Sequence, residues 1–391
     1  MKIGVIGAKG LPPKQGGIEH YCGELYPRMV KQGHSVDLFG RCSYTEFSAF
    51  EQYDYEGVRV ISLPGSGMRG IDAFITSAFG ASVARFSNYD LLHFHALGPS
   101  LFTWLPKIAS STKIVVTCQG LDWQRDKWGK TSSSLIYMGE QAAVRFADAI
   151  IVVSQELQSY FWKTYQRKTI YIPNGPASYS APNPNFDYGK SLNLEKNRYI
   201  LFLGRLVPEK CPDLLIQAFQ KLQPKGWKLV LVGGNSDTTT YIKQLNDLAD
   251  GNPNIIFTGE LRGSRLAEIV RGSGLFVLPS AVEGLPLAML EGLREGIPVL
   301  ASDIPPHQQL INQDCGLLFQ SNDLASCMQQ LAFAINQPEK IRKMAQNAQK
   351  NVLANYNWDR ITDETLKVYN SVLQSTKKVL KPEQVPVDDL V

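Results

Sequence analysis

The sequence predicts an α/β protein built from two doubly wound domains, and three observations carry that reading. Short apolar runs recur along the chain, each bounded by turn residues and separated from the next by a stretch of helical period. That is the pattern of strands buried on both faces of a parallel sheet. Composition breaks once, over residues 173–196 (PNGPASYSAPNPNFDYGKSLNLEK), where Pro, Asn, Ser and Gly accumulate and periodicity is lost, the mark of a linker or hinge. The strand and helix alternation then restarts, and 391 residues suit two domains. The expected domains are residues 1–175 and 198–355, joined by 176–197 and facing a central ligand cleft.

The first strand is expected at residues 2–6 (KIGVI), followed by the glycine-rich loop GAKGLPPKQGG and a helix. In that helix Ile18, Tyr21, Cys22, Leu25, Tyr26, Met29 and Val30 share one face, Pro27 should kink it and Gly33 should end it. The loop is not GxGxxG, so a nicotinamide turn is a poor match. Gly16 and Gly17 either meet an anion with bare N–H groups at a helix N-terminus or form a plain turn. Further strands are expected at 34–39, 58–63, 91–94, 113–117, 149–153 and 169–172, with helices at 132–146 and 154–165. His93 and His95 fall two apart on one strand, so both imidazoles share a side; His95, at the carboxyl end, is either a ligand contact or structural. The loop GLDWQRDKWGK mixes Trp123 and Trp128 with Arg125, Lys127 and Lys130. It could stack on sugars, sit at a membrane interface, or be a connection packed by its tryptophans. Residues 69–86 set Arg69 and Arg85 around an apolar middle, which fits either an anionic bilayer or an ordinary domain helix.

The second half opens with ILFLGRLVPEK, where Arg205 and Lys210 bracket the loop after the strand at 199–203. A guanidinium fork and an ammonium at one strand end suit a diphosphate. Strands follow near 228–232, 255–258, 275–278 and 297–301. Between the last two lies SAVEGLPLAMLEGLREG: Glu283-Gly284-Leu285 forms the loop at the strand's carboxyl end, Pro286 should be the first helical residue, and Gly296 should stop the helix. Glu291 lies within that otherwise apolar helix and faces either water or a partner. Long helices are expected at 336–354 and 358–373, then a disordered tail over 374–391.

Composition narrows the function classes. Hydrophobic residues make up 44% and the formal charge is +4, which fits polyanionic small ligands or an anionic surface and carries no nucleic-acid signature. Six cysteines stand without metal-ligand spacing, so reduced thiols in a cytosolic compartment are expected. No leader precedes the first strand and no apolar segment is long enough to span a bilayer, so a cytoplasmic protein is expected, with peripheral contact on the inner face of the cytoplasmic membrane left open.

The motif EGLPLAMLE, with its second glutamate eight residues after the first, is preceded by GRLVPEK and by the loop ending in Gly16-Gly17. With Ile172-Pro173-Asn174-Gly175 and YNWDRI at 356–361, it resembles the retaining glycosyltransferases of family 4, which have the GT-B fold. The resemblance spans nearly the whole chain, and GLDWQRDKWG looks like the version in bacterial rhamnosyltransferase-type members of surface-polysaccharide assembly. It implies an acceptor domain at the amino end, to which the helix at 358–373 returns, and a donor nucleotide-sugar domain at the carboxyl end. Glu291 would hold the ribose hydroxyls, Glu283 would approach the donor sugar, and Arg205 and Lys210 would clamp the diphosphate. Gly284, Leu285, Pro286, Gly16 and Gly17 would lie beside sugar and phosphates, Gly259 and Leu261 would line the base pocket, and His95 would lie near the transferred sugar. Trp123, Arg125, Lys127 and Trp128 are assigned to the acceptor side. Gln119 departs from the pattern, since relatives often carry histidine there.

The expected activity is retaining transfer of a hexose or deoxyhexose from a nucleotide-diphosphate sugar to a saccharide or lipid-linked acceptor. No Asp-x-Asp pair occurs, so no metal or other cofactor is expected, and departure of the diphosphate falls to Arg205, Lys210 and helix N-termini. The competing expectations are a catalytically silent nucleotide-sugar-binding partner of an assembly system and a nicotinamide oxidoreductase, the latter lacking its glycine fingerprint.

Overall fold

The computed structural model describes residues 1–374 apart from 14–15, 67–70, 109, 125–128, 178, 235–238 and 313. The chain divides into two compact units, Met1–Asn174 with Trp358–Val391, and Gly175–Asn357. Arg69, Arg125, Lys127, Trp128 and the tail beyond residue 374 lie outside the described residues.

The first unit is one eight-stranded sheet, ordered β3-β4-β2-β1-β5-β6-β7-β8. Its strands are β1 (Lys2–Ile6), β2 (Ser35–Arg41), β3 (Gln52–Tyr55), β4 (Val58–Leu63), β5 (Leu91–His95), β6 (Lys113–Cys118), β7 (Ala149–Val152) and β8 (Ile170–Tyr171). All neighbours are parallel except β3, which runs antiparallel to β4 at the edge. The central strands read as unbroken apolar runs because both faces are covered. On one face lies helix Gly17–Lys31, burying Tyr21, Cys22, Leu25, Tyr26 and Met29, with Pro27 inside it. Helix Trp358–Gln374 adds Trp358, Ile361, Leu366, Val368, Tyr369 and Val372 to the same core.

The second unit is a six-stranded, wholly parallel sheet ordered β11-β10-β9-β12-β13-β14. These strands are β9 (Tyr199–Leu203), β10 (Lys228–Val232), β11 (Ile255–Gly259), β12 (Leu275–Leu278), β13 (Val299–Ser302) and β14 (Leu317–Phe319). Helix Leu287–Arg294 follows β12. Pro286 stands just ahead of it with ψ 83°, outside helical space, so it introduces the helix instead of forming its first residue. At the other end Gly296 has φ 73°, its N–H bonds Leu293 O at 3.0 Å, and Ile297 N–H bonds Gly292 O at 3.0 Å. This left-handed glycine closes the helix in a Schellman motif, and β13 begins two residues later than its apolar run.

In both sheets the chain reverses its direction of winding once. The switch lies between β1 and β5 in the first unit and between β9 and β12 in the second. The crevice outside the carboxyl ends of strands at such a point is where open α/β sheets bind ligands.

Candidate functional site

In the second unit the loops after β9 and β12 meet at the switch point. Lys210, which ends a short 3₁₀ turn at Pro208–Lys210, forms an ion pair with Glu283 Oε1. Ser280 Oγ donates to the same oxygen at 2.8 Å, and Ala281 N–H bonds Glu209 O at 2.9 Å, which ties the two loops together. Lys210 and Glu283 are both largely removed from water. Neither charge can be deleted without leaving the other buried and uncompensated. Behind them His307 is fully buried, with Nδ1 facing Ser302 O at 2.9 Å and Ser302 Oγ at 3.1 Å, and Nε2 without a partner. Burial pulls its pKa below the usual histidine value, against the pull of Glu283. Arg205 is more exposed and lies 3.7 Å from Glu209, four residues on. Its fork therefore faces solvent, while Lys210 is largely withdrawn from it.

Glu291 lies on helix Leu287–Arg294, which follows the loop after β12. Tyr179 Oη donates to its Oε2 at 2.6 Å. Burial raises the Glu291 carboxyl pKa to about 7, partly offset by the Tyr179 and Ala177 N–H hydrogen bonds and by Arg294. Gly284 and Leu285 fill the turn between Glu283 and Pro286, with Leu285 packed on the apolar core. At the end of β11, Gly259 takes φ 69° and its carbonyl accepts Gly233 N–H at 3.1 Å, and Leu261 is buried beyond it.

The first unit presents a second set at its own switch point. Gly7, after β1, has φ 111°, and a Cβ there would fall 2.3 Å from His95 O; only glycine lets the loop pass over the end of β5. His95 itself is fully buried. Its Nε2 faces Tyr26 Oη at 2.6 Å, its Nδ1 has no partner, and burial lowers its pKa to about 3, so it is a neutral imidazole. His93 shares that side of the strand, their ring centroids 4.2 Å apart, and joins Tyr26, Thr117 and, at 2.6 Å, Tyr369 of the last helix. Gly16 and Gly17 open a helix whose first turn already holds an anion, because the buried Glu19 carboxylate folds back to accept Lys9 N–H at 2.8 Å and lies against Gly16. Trp123 Nε1 donates at 2.9 Å to Glu140, a fully buried carboxylate that also takes the hydroxyls of Tyr160 and Tyr165. Gln119 Oε1 accepts from Asn174 Nδ2 at 2.6 Å.

Residues 186–351 match the family model described as glycosyl transferases group 1, and residues 15–176 match that of glycosyltransferase family 4. The chain belongs to the GT-B glycosyltransferase superfamily. Among curated relatives of this glycosyltransferase, the D-inositol 3-phosphate glycosyltransferase of Gordonia bronchialis is 27% identical over 92% of this chain and 85% of its own length. The solved sucrose-phosphate synthase from Thermosynechococcus elongatus superposes with a TM-score of 0.81 at 22% identity, covering 96% of this chain and 99% of that one. Anabaena Alr3699/HepE, solved in complex with UDP and glucose, gives 0.75 at 19% identity, covering 95% and 100%. At those identities the two structures speak to the fold.

Of the residues expected to act together, the fold brings Lys210 to Glu283, whereas Glu291, on the helix that follows, takes Tyr179 as its partner and Arg205 engages Glu209. Sequence reading missed Ser280, His307, Tyr179, Glu19 and Glu140. Ser280 begins the stretch in which Glu283 was noticed, so it could have been found there. Tyr179, Glu19 and Glu140 have no local signature, since each acquires its role from a partner at least ten residues away, and His307, though bonded to Ser302 five residues before it, faces Glu283 from another element.

Proposed function

We propose that this glycosyltransferase moves a hexose or deoxyhexose from a nucleotide-diphosphate sugar to a saccharide or lipid-linked saccharide with retention of anomeric configuration and without a metal. The single observation that carries the reading is the Lys210–Glu283 pair across the switch point, with Glu291 on the helix that follows. Solved relatives of the fold include Alr3699/HepE with UDP-glucose, which makes UDP the first nucleotide to try. Lys210 and Arg205 receive the diphosphate, Glu291 accepts the ribose hydroxyls, Glu283 directs Lys210 and faces the sugar, and Gly259 and Leu261 flank the base. His95 supports the strand end near the sugar as a neutral imidazole.

Glu283 is already committed to a cation and a hydroxyl donor, so the reading uses no enzyme nucleophile. The bond from the anomeric carbon to the diphosphate oxygen breaks, the electron pair leaves with the diphosphate, and the developing charge meets Lys210, Arg205 and helix N-termini. The acceptor oxygen bonds to the same face and its proton passes to a leaving phosphate oxygen. On the acceptor side Trp123, held by Glu140, is the described member of the aromatic and basic loop. A lipid-linked acceptor is favoured by helix Ile71–Arg85, which buries Thr76, Ser77, Gly80, Ala81 and Ala84 while Ile71, Phe79 and Val83, with Phe86 just beyond, remain exposed. Arg85 lies beside the Phe86 ring, so the face offers apolar side chains and a cation to an anionic bilayer.

The test is a thermal-shift panel of UDP-, GDP-, ADP- and dTDP-sugars followed by product analysis. One nucleotide class should raise the melting temperature by mass action. Glu291→Ala should chiefly weaken donor binding and Glu283→Ala chiefly lower turnover. Unchanged kinetics in both variants would overturn these roles, an inverted product would overturn retention, and donor binding without turnover across acceptors would favour a silent binding partner.

A further inference from the structure

The first residues of the second unit are held down by that unit's own side chains. Arg294 Nη1 donates to Ala177 O at 3.1 Å and Arg271 Nη1 to Ser180 O at 3.0 Å. Arg271 is in turn fixed by Glu295 at 2.6 Å. Between these two anchors Tyr179 packs on the apolar core and turns its hydroxyl onto Glu291 Oε2. No motif covers Tyr179; it belongs to the stretch read from sequence as a linker.

A carboxylate has about four lone-pair directions on its two oxygens. One phenol O–H uses one of them, and because the phenol is anchored at both sides it also fixes the carboxylate's rotamer. We propose that Tyr179 is a positioning residue for the donor nucleotide, orienting Glu291 and occupying one oxygen so that the remaining lone pairs accept the vicinal hydroxyls of a ribose. This rests on the reading of Glu291 as the ribose-binding group.

The arrangement has a consequence in pH. A hydrogen bond donated to the ionised form favours that form, whereas burial opposes it. The groups facing Glu291 are Tyr179 and the Ala177 N–H from the anchored segment, with Arg294 and Glu295 from the carboxyl end of its own helix. Arg271 reaches it through Tyr179. β12 and β13 carry no titratable side chain, and helix Pro338–Asn355, packed behind, contributes the Gln349 amide to Arg294 O at 2.8 Å. Without the phenol the carboxyl protonates more readily, and a protonated Glu291 is a poorer acceptor for ribose.

The experiment uses the full chain and Tyr179→Phe, which keeps the ring in the core. Both are titrated calorimetrically at pH 7 and pH 8.5 with UDP, or with whichever of GDP, ADP and dTDP stabilises the wild type most, and with inorganic pyrophosphate, which has no ribose. At pH 7 the variant should bind the nucleotide about two- to tenfold more weakly, the size of one hydrogen bond. The deficit should shrink at pH 8.5, and pyrophosphate affinity should not change. Equal weakening towards both probes would reduce Tyr179 to a structural role, and tighter nucleotide binding would make its hydroxyl a competitor of ribose; either result, or no change at all, overturns the inference. A wild type that binds none of the four nucleotides overturns the donor-site reading itself.

Discussion

Glu291 titrates in the neutral range because its surroundings remove water faster than they supply charge. Burial raises its pKa from 4.5 to about 7, and the hydrogen bonds from Tyr179 and Ala177 N–H recover only part of that. A carboxyl raised on folding binds more protons in the folded state between those two values. Its stabilising contribution is therefore complete below about pH 4.5 and is lost as pH rises through 7. In the ligand-free protein the wild type should lose stability from pH 5 to pH 8 relative to Glu291→Gln, which does not titrate. The difference should approach, and not exceed, about 3 kcal/mol at about 1.4 kcal/mol per pKa unit. Parallel melting curves for the two proteins across that range would show that the carboxyl is not displaced as described. At this scale the site was half legible. Glu283, Glu291 and Lys210 stand in recognisable spacing, but Tyr179 and His307 act on them from other elements, and one-dimensional order holds no trace of those distances.

Helix Ile71–Arg85 departs most from what its sequence leads one to expect. An apolar stretch between basic residues normally turns its large side chains inward. Here the small and polar residues face the sheet: a Cβ added at Gly80 would stand in ordinary contact, at 3.4 and 3.5 Å, with Phe39 and Ile6, and Asp72 is met by Ser43 at 2.9 Å and Arg41 at 3.9 Å. Phe86 at 85% and Phe79 at 44% exposure are left outside. If this face meets an anionic bilayer, the protein should sediment with phosphatidylglycerol-containing liposomes at low salt. Binding should weaken as salt screens the charges and drop several-fold in a Phe79→Ser, Phe86→Ser double variant with unchanged melting temperature. Absence of wild-type binding at low salt removes the membrane reading. Other elements followed their sequence closely: β1, β4, β9 and β10 run over the expected residues. β3 and β14 escaped notice, since QYDY at an exposed edge has no apolar run and LLF is only three residues long.

The two units differ in how the chain builds them. Gly175–Asn357 is contiguous and encloses its own core, whereas the core of the first unit takes Trp358, Ile361, Leu366, Val368, Tyr369 and Val372 from the far end of the chain. Burying six such side chains contributes on the order of 10 kcal/mol, comparable with the whole stability of a domain. A fragment of residues 175–357 should fold alone, with a cooperative melt and nucleotide binding. Residues 1–174 should fold only when 358–374 are fused or supplied as a peptide. Circular dichroism and size exclusion decide both, and a well-folded 1–174 fragment would contradict the account. By itself the sequence determined the fold class, most of the strands and the glutamate pair, because strand burial and helix stops are written in nearest-neighbour periodicity and in single glycines such as Gly296. Only the tertiary structure decided that Lys210 answers Glu283, that Tyr179 holds Glu291, that His95 is an uncharged buried imidazole and that an apolar helix turns its large residues outward. Each of these depends on which distant side chain removes water from a group, and that follows from packing alone.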